Sequence, residues 1–242
     1  FTAAETTDAN GHGTWMAGIV AAVTNNGTGV AGVGYNGVKV MPVKVLAKDG
    51  TGLDCDVIEG RVWAADHGAD VINMSLTRNT LDWPVSWDDA FLYAQEHDVI
   101  VVAAAGNRGS GTTQVGAPAT MPGVLTVAGV DANGEASFDA SSQGITIAVA
   151  APSENLVGVV PGGGHVIWNG TSGATPIVAG VVALVRAAHP ELDAANVINR
   201  VVATARDEGA PGPDPIYGFG LLDAEAAVNA TVPAVDANPM GD

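Results

Sequence analysis

Ser172 lies in Gly170-Thr171-Ser172-Gly173-Ala174-Thr175-Pro176, a turn of small residues that runs into the apolar stretch 177–184. No neighbouring side chain is large enough to cover its hydroxyl. At a helix start, free N–H groups and the helix dipole favour negative charge beside it. A serine is a weak nucleophile without a base. His12, in Asp8-Ala9-Asn10-Gly11-His12-Gly13-Thr14, suits that role. It opens a helical pattern of small and apolar residues, where the positive dipole end lowers an imidazole pKa and keeps it a neutral base. Asn107 follows the apolar run 99–104. An amide at the carboxyl end of a parallel strand lies where α/β sheets bind ligands. Its NH₂ can donate to a developing oxyanion beside the Ser172 N–H. Each residue alone has a plainer reading: a capping serine, a polar residue near a cap, a turn asparagine. His67, His97 and His189 fall near helix C-termini, where a cation suits the dipole, and His165 falls in a Gly-rich turn.

The elements that must position these residues read as short apolar strands alternating with helices. Strands are predicted at residues 38–46, 71–75, 99–104, 124–130 and 145–150, nearly continuous in Val, Ile and Ala, as in strands buried on both faces. Helices are predicted at 12–23, 56–67, 87–97, 171–189 and 194–203. Pro176 falls in the first turns of the fourth, where a missing N–H does no harm. The alternation implies right-handed crossovers and a mostly parallel sheet with helices on both faces. One domain is expected over residues 1–227, followed by a loose tail at 228–242 rich in Ala, Asn, Pro and Asp.

Composition narrows the function. The 242 residues carry 26 acidic against 9 basic side chains, a formal charge of −17. That excludes nucleic acid and anionic membrane as natural partners, since both call for Lys and Arg. No run of 18 apolar residues occurs. The single cysteine, Cys55, forms no intrachain disulfide, and between Asp54 and Asp56 it is a bystander. The opening at Phe1, without Met or leader, reads as a processed or clipped product.

Taken together, Asn10-Gly11-His12-Gly13-Thr14, Ala104-Ala105-Gly106-Asn107 and Gly170-Thr171-Ser172 resemble the subtilisin-like serine proteases, or subtilases. Further matches are Val43-Lys44-Val45-Leu46, 70–76 and 217–224. The resemblance implies a three-layer subtilisin-like α/β fold and a secreted serine endopeptidase, expected as a monomer, that needs no cofactor for catalysis. It makes His12 the general base, Ser172 the nucleophile and Asn107 the oxyanion donor. It assigns Ser75 and Leu76 to the strand that pairs with an extended peptide. Ala104, Ala105 and Gly106 become one wall of the pocket for the residue before the cut. Gly116 becomes its floor, open to a large apolar side chain, with Arg108 on the rim. Ala117-Pro118 falls at a cis proline of the family. Val23, Asn26, Thr28 and Val30 match a structural calcium loop built from carbonyls and an Asn side chain.

Departures from that pattern matter. The family order is Asp, His, Ser, with the Asp at the end of a strand well before the histidine. Here Asp8 matches only the loop before His12, so the third triad member is missing from this chain and activity should be weak. Gly173 replaces a larger residue after the nucleophile, which should leave the site roomier and resistant to oxidation there. Thr77 stands where the substrate strand commonly has Gly and crowds peptide binding. An α/β-hydrolase reading of Gly170-Thr171-Ser172-Gly173-Ala174 fails, since that fold needs Ser, acid, then His. No Asp or Glu separates Ser172 from His189, the last histidine. A subtilase-like module that binds peptides without cutting them is the non-enzymatic alternative.

Overall fold

The computed structural model describes residues 6–78, 83–107, 114–137 and 141–241. In chain order its elements are α1 (His12–Ala21), α2 (Asp54–Asp66), β1 (Val71–Met74), α3 (Ser86–Glu96), β2 (Ile100–Ala104) and β3 (Leu125–Val130). Then follow β4 (Ile147–Pro152), β5 (Leu156–Val160), β6 (Gly164–Trp168), α4 (Thr171–Ala188), α5 (Ala194–Ala203) and α6 (Ala224–Asn229). Strands β1 to β4 form a parallel sheet in that order, and β5 and β6 form a separate antiparallel hairpin.

The strands read as continuous apolar runs because each feeds two cores. Along β2, Val101 and Ala103 face Trp87 and Phe91 of α3 and Val57 of α2. The alternate residues Ile100 and Val102 face Val178, Val182 and Val185 of α4 and Val197, Ile198 and Val201 of α5. A strand's period of two thus serves two helical layers, and along β2 no position is left for a polar residue. Each fully buried Val or Ile contributes about 1.5–3 kcal/mol. That is why α4, apolar and long enough by composition to cross a membrane, is the core helix against all four strands. Asp193 and Asp223 cap α5 and α6 by accepting from the N–H groups of Asn196 and Ala226. His67 and His97 close α2 and α3, each ring bonding the carbonyl four residues back.

Three expectations are corrected. Residues 38–46 form no strand; the segment lies over α2, where Val43 and Val45 crowd Gly60. A ladder needs a neighbouring strand, and among the described residues β1 pairs with β2 alone. Second, residues 228–241 are not loose. Arg200 donates to the carbonyls of Ala227, Val228 and Ala230, Asn196 exchanges hydrogen bonds with Val235, and Gly123 N donates to Met240 O. Low hydrophobicity hid a tail held mainly by its backbone. Third, the β5–β6 hairpin and α6 escaped the sequence reading. Two apolar runs around Pro161-Gly162-Gly163 were the available hairpin signal.

One buried charge stands out. Arg61 of α2 is 4% exposed and, among the described residues, none of its guanidinium nitrogens has a hydrogen-bond partner. Its guanidinium lies 3.5 Å from the centre of the Phe91 ring, and burial pulls its pKa down to about 9. The ring contact returns only about 1–2 kcal/mol of a larger desolvation cost. Arg61→Met should therefore raise the unfolding free energy by about 1–3 kcal/mol, read from the midpoint of a urea transition at unchanged slope; a less stable variant would show that the guanidinium is well solvated.

Candidate active site

The site forms where the ends of β1 and β2 meet the start of α4. Helix starts leave N–H groups without partners, and here Asn107 supplies the acceptor. Its Oδ1 receives Thr171 N at 2.8 Å and Thr171 Oγ1 at 2.8 Å. A backbone N–H can only donate, so the amide oxygen must face Thr171, which frees the Asn107 NH₂. Thr171 is fully buried and its hydroxyl also accepts from Gly106 N at 3.2 Å. Gly170 makes this approach possible. Its φ is +131°, and a Cβ there would stand 2.7 Å from Asn107 Nδ2.

Pro176 is more than harmless. In α4 the N–H of residue 176 would bond the carbonyl of Ser172, four residues back, and proline has none. Ser75 Oγ replaces it, donating to Ser172 O at 2.8 Å, while Asn73 Nδ2 donates to Ser75 Oγ at 3.0 Å. The Ser172 hydroxyl in turn donates to Ser75 O at 3.3 Å. The Ser172 turn is thus tied to β1 through Ser75 and to β2 through Asn107.

His12 arrives from the other side. Trp15, one turn further along α1, presses on Gly173: a Cβ at Gly173 would lie 2.7 Å and 3.0 Å from indole atoms of Trp15, and 2.7 Å from Leu156. The starts of α1 and α4 are therefore side by side. The roomier site expected from Gly173 is not found, because the Trp15 indole fills that space. Trp168, at the end of β6, packs on Trp15 with centroids 5.3 Å apart and stacks over His12 at 6.5 Å. Burial holds the His12 pKa below its usual range, with Asp8 acting weakly in the opposite direction. The imidazole is neutral at pH 7. The Ser172 hydroxyl is turned to Ser75, and among the described residues no carboxylate bonds the His12 ring.

Asp8 is the local acid, and its work is structural. One oxygen accepts from Asn10 N and Gly11 N, the other from Thr14 N and Thr14 Oγ1, at 2.7–3.1 Å. Gly11 at φ +96° cannot cap α1 by a side chain, so Asp8 does so from the loop.

The other residues singled out fall around this centre. Ala104 ends β2, Leu76, Ala105 and Gly106 lie on the extensions of β1 and β2, and buried Gly116 lies before the cis Ala117–Pro118 bond. Arg108 lies outside the described residues. Residues 23–31 curl around a hollow of about 250 Å³. Asn26 Oδ1 accepts from Thr28 N at 3.1 Å, and the buried Thr24 hydroxyl has no partner among the described residues. The loop's oxygens, with those of Val23, Thr28 and Val30, suit a hard cation. They are all neutral, and no cluster of three His, Cys, Asp or Glu occurs among the described residues.

Burial raises the Asp8 pKa, but hydrogen bonds from Thr14, Gly11 and Asn10 outweigh it and hold the carboxyl at about 2. The unfolded chain titrates near 3.8. The stability Asp8 contributes is therefore present above pH 4 and lost as pH falls towards 2. Asp8→Ala should cost about 1 kcal/mol at pH 7 and flatten the acid limb of a stability–pH curve; an unchanged limb would assign that acid sensitivity elsewhere.

The chain is similar to known proteins over most of its length. Residues 2–220 match the Peptidase_S8 domain, described as the subtilase family. Subtilisin DY of Bacillus licheniformis is 42% identical over 224 residues, covering 91% of this chain and 78% of that protein. Alkaline elastase YaB of Bacillus sp. (strain YaB) is 39% identical over 221 residues, with 91% and 56% covered. The structure of fervidolysin from Fervidobacterium pennivorans, a keratinolytic enzyme related to subtilisin, superposes with a TM-score of 0.83 at 30% identity. That match covers 93% of this chain and 37% of fervidolysin. With its parallel sheet, its helical layers and the Ser172 turn, the chain belongs to the subtilase family of serine proteases.

Proposed function

We propose that the protein is an extracellular serine endopeptidase acting through an acyl-enzyme, with His12, Ser172 and Asn107 as its working groups. The observation that carries this reading is the Asn107 amide, held by Thr171 so that its NH₂ is free beside the nucleophile. Ser172 Oγ attacks the peptide carbonyl carbon and its proton passes to neutral His12. The carbonyl oxygen gains negative charge and receives hydrogen bonds from Asn107 Nδ2 and the Ser172 N–H. The C–N bond then breaks, the amine leaves with the proton from His12, and water hydrolyses the ester by the reverse sequence. Ser75, Leu76, Ala104, Ala105, Gly106 and Gly116 bind the peptide.

Among the described residues no carboxylate bonds the His12 ring to fix its tautomer, and the Ser172 hydroxyl bonds Ser75 O. These two facts favour, as second reading, an impaired relative that holds peptides without cutting them. In proteases with this triad, loss of the acid costs roughly 10⁴ in rate, so weak turnover rather than none is consistent with the first reading. A fluorophosphonate probe separates the two: Ser172 should label in the wild type and not in Ser172→Ala. Asn107→Ala should lower turnover about 10²–10³-fold with little change in KM, a range known from enzymes of this kind. No labelling at any concentration would leave the binding reading.

We also propose that Val23, Asn26, Thr28 and Val30 hold a structural calcium ion through neutral oxygens. With no carboxylate in the loop, affinity falls in the weak range, about 10⁻⁴–10⁻³ M. Calcium at millimolar concentration should raise Tm in the wild type and less in Asn26→Ala; equal shifts in both would place the ion elsewhere.

A further inference from the structure

Two segments leave the sheet side by side at Ser172. β1 and β2 remain paired up to Met74 opposite Ala103. Beyond that point Ser75 bonds Ser172, while Gly106 and Asn107 bond Thr171. The side chain adjoining a carbonyl attacked by Ser172 must enter the slot between these extensions. Residues 115–117 close the far side: Arg78 N donates to Ala117 O at 2.7 Å, and Val115, Gly116 and Ala117 are buried.

Thr77 stands inside this slot. Its Oγ1 is anchored to Arg78 O at 3.0 Å and reaches Ala117 O at 3.4 Å. A β-branched side chain has few χ1 choices, and these contacts hold one of them. The methyl group then faces the opposite wall, 3.7 Å from the point a Cβ would occupy on Gly106. Gly106 itself carries no Cβ, so the methyl faces its Cα, one bond further back, across a gap of at most about 5 Å. A side chain lying between them needs about 3.5–4 Å to each wall, so an aromatic ring requires roughly 7 Å of clearance. The small floor at Gly116 does not help if the entrance above it is shut.

We propose that Thr77 is the specificity-determining residue of this site: its methyl closes the slot to large side chains, so that the peptidase cuts after Gly, Ala or Ser rather than after large apolar or aromatic residues. This rests on the serine peptidase reading and replaces the large apolar preference that Gly116 alone implies.

The test compares acyl-tetrapeptide anilides that differ only in Ala or Phe before the scissile bond. Wild-type kcat/KM should favour Ala by at least about tenfold. Thr77→Gly should raise kcat/KM for Phe tenfold or more with little change for Ala. Thr77→Ser keeps the hydroxyl contacts and lacks the methyl, so it should move the ratio in the same direction, and it serves if the glycine variant folds poorly. Fluorophosphonate labelling of Ser172, which needs no side chain in the slot, distinguishes failure of the protease reading from failure of this one. If Ser172 does not label, binding of N-acyl tetrapeptides ending in Ala or Phe reads the slot directly, and Ala should bind at least fivefold tighter. Phe equal to or better than Ala in the wild type, or a ratio that neither Thr77 variant moves, overturns the proposal.

Discussion

The start of α4 has backbone groups that the helix itself cannot satisfy, and the way they are satisfied organises the site. The Thr171 N–H has no partner within the helix, and the Ser172 carbonyl loses its own because residue 176 is proline. A buried backbone group left unpaired costs about 1–3 kcal/mol. Two side chains at the carboxyl ends of adjacent strands remove that cost, Asn107 for the N–H and Ser75 for the carbonyl. Each also gains a fixed orientation: Asn107 turns its NH₂ outward, and Ser75 holds its backbone against the Ser172 hydroxyl. Backbone satisfaction and the geometry of the candidate site are one set of hydrogen bonds.

The histidine side of the site is built differently. Where Asn107 and Ser75 act by polar contacts, His12 is placed by shape. The Trp15 indole fits against Gly173 and Leu156, and Trp168 covers both Trp15 and the imidazole. Packing of this kind fixes where a ring sits but not which of its nitrogens carries the proton. Asp8 does not supply that control, because all its hydrogen bonds hold the loop and first turn of α1. Gly173 is therefore a steric partner of Trp15, and a larger residue at 173 requires a smaller one at 15.

Much of the scaffold was legible from pattern. The run 99–104 carries no polar break, and 124–130 carries one, Thr126, whose buried hydroxyl is satisfied by Ala119 O; a strand covered by helices on both faces tolerates a polar group only when it is paired in this way. Helices of at least ten residues were found within two residues of their ends, because caps and apolar spacing are local signals. The misses share one cause. Residues 38–46 have strand composition, yet a strand exists only where a neighbour offers a ladder, and that neighbour is not encoded in the segment itself. The tail at 228–241 has little to bury, and it is held by Arg200 and Asn196, side chains about thirty to forty residues earlier.

The amino-acid sequence by itself singled out the groups proposed to carry the chemistry: a serine in a small-residue turn, a histidine opening a helix, an amide at the end of an apolar strand. It also determined the layered α/β scaffold, because hydrophobic period and helix caps are properties of short segments. Only the tertiary structure decided how those groups are aimed and what reaches them. The role of Asn107 as acceptor for Thr171, the replacement of a proline's missing donor by Ser75, the Trp15–Gly173 fit and the methyl of Thr77 over Gly106 all join residues 29 to 158 positions apart. Contacts across such separations depend on how layers stack, and no local propensity encodes them.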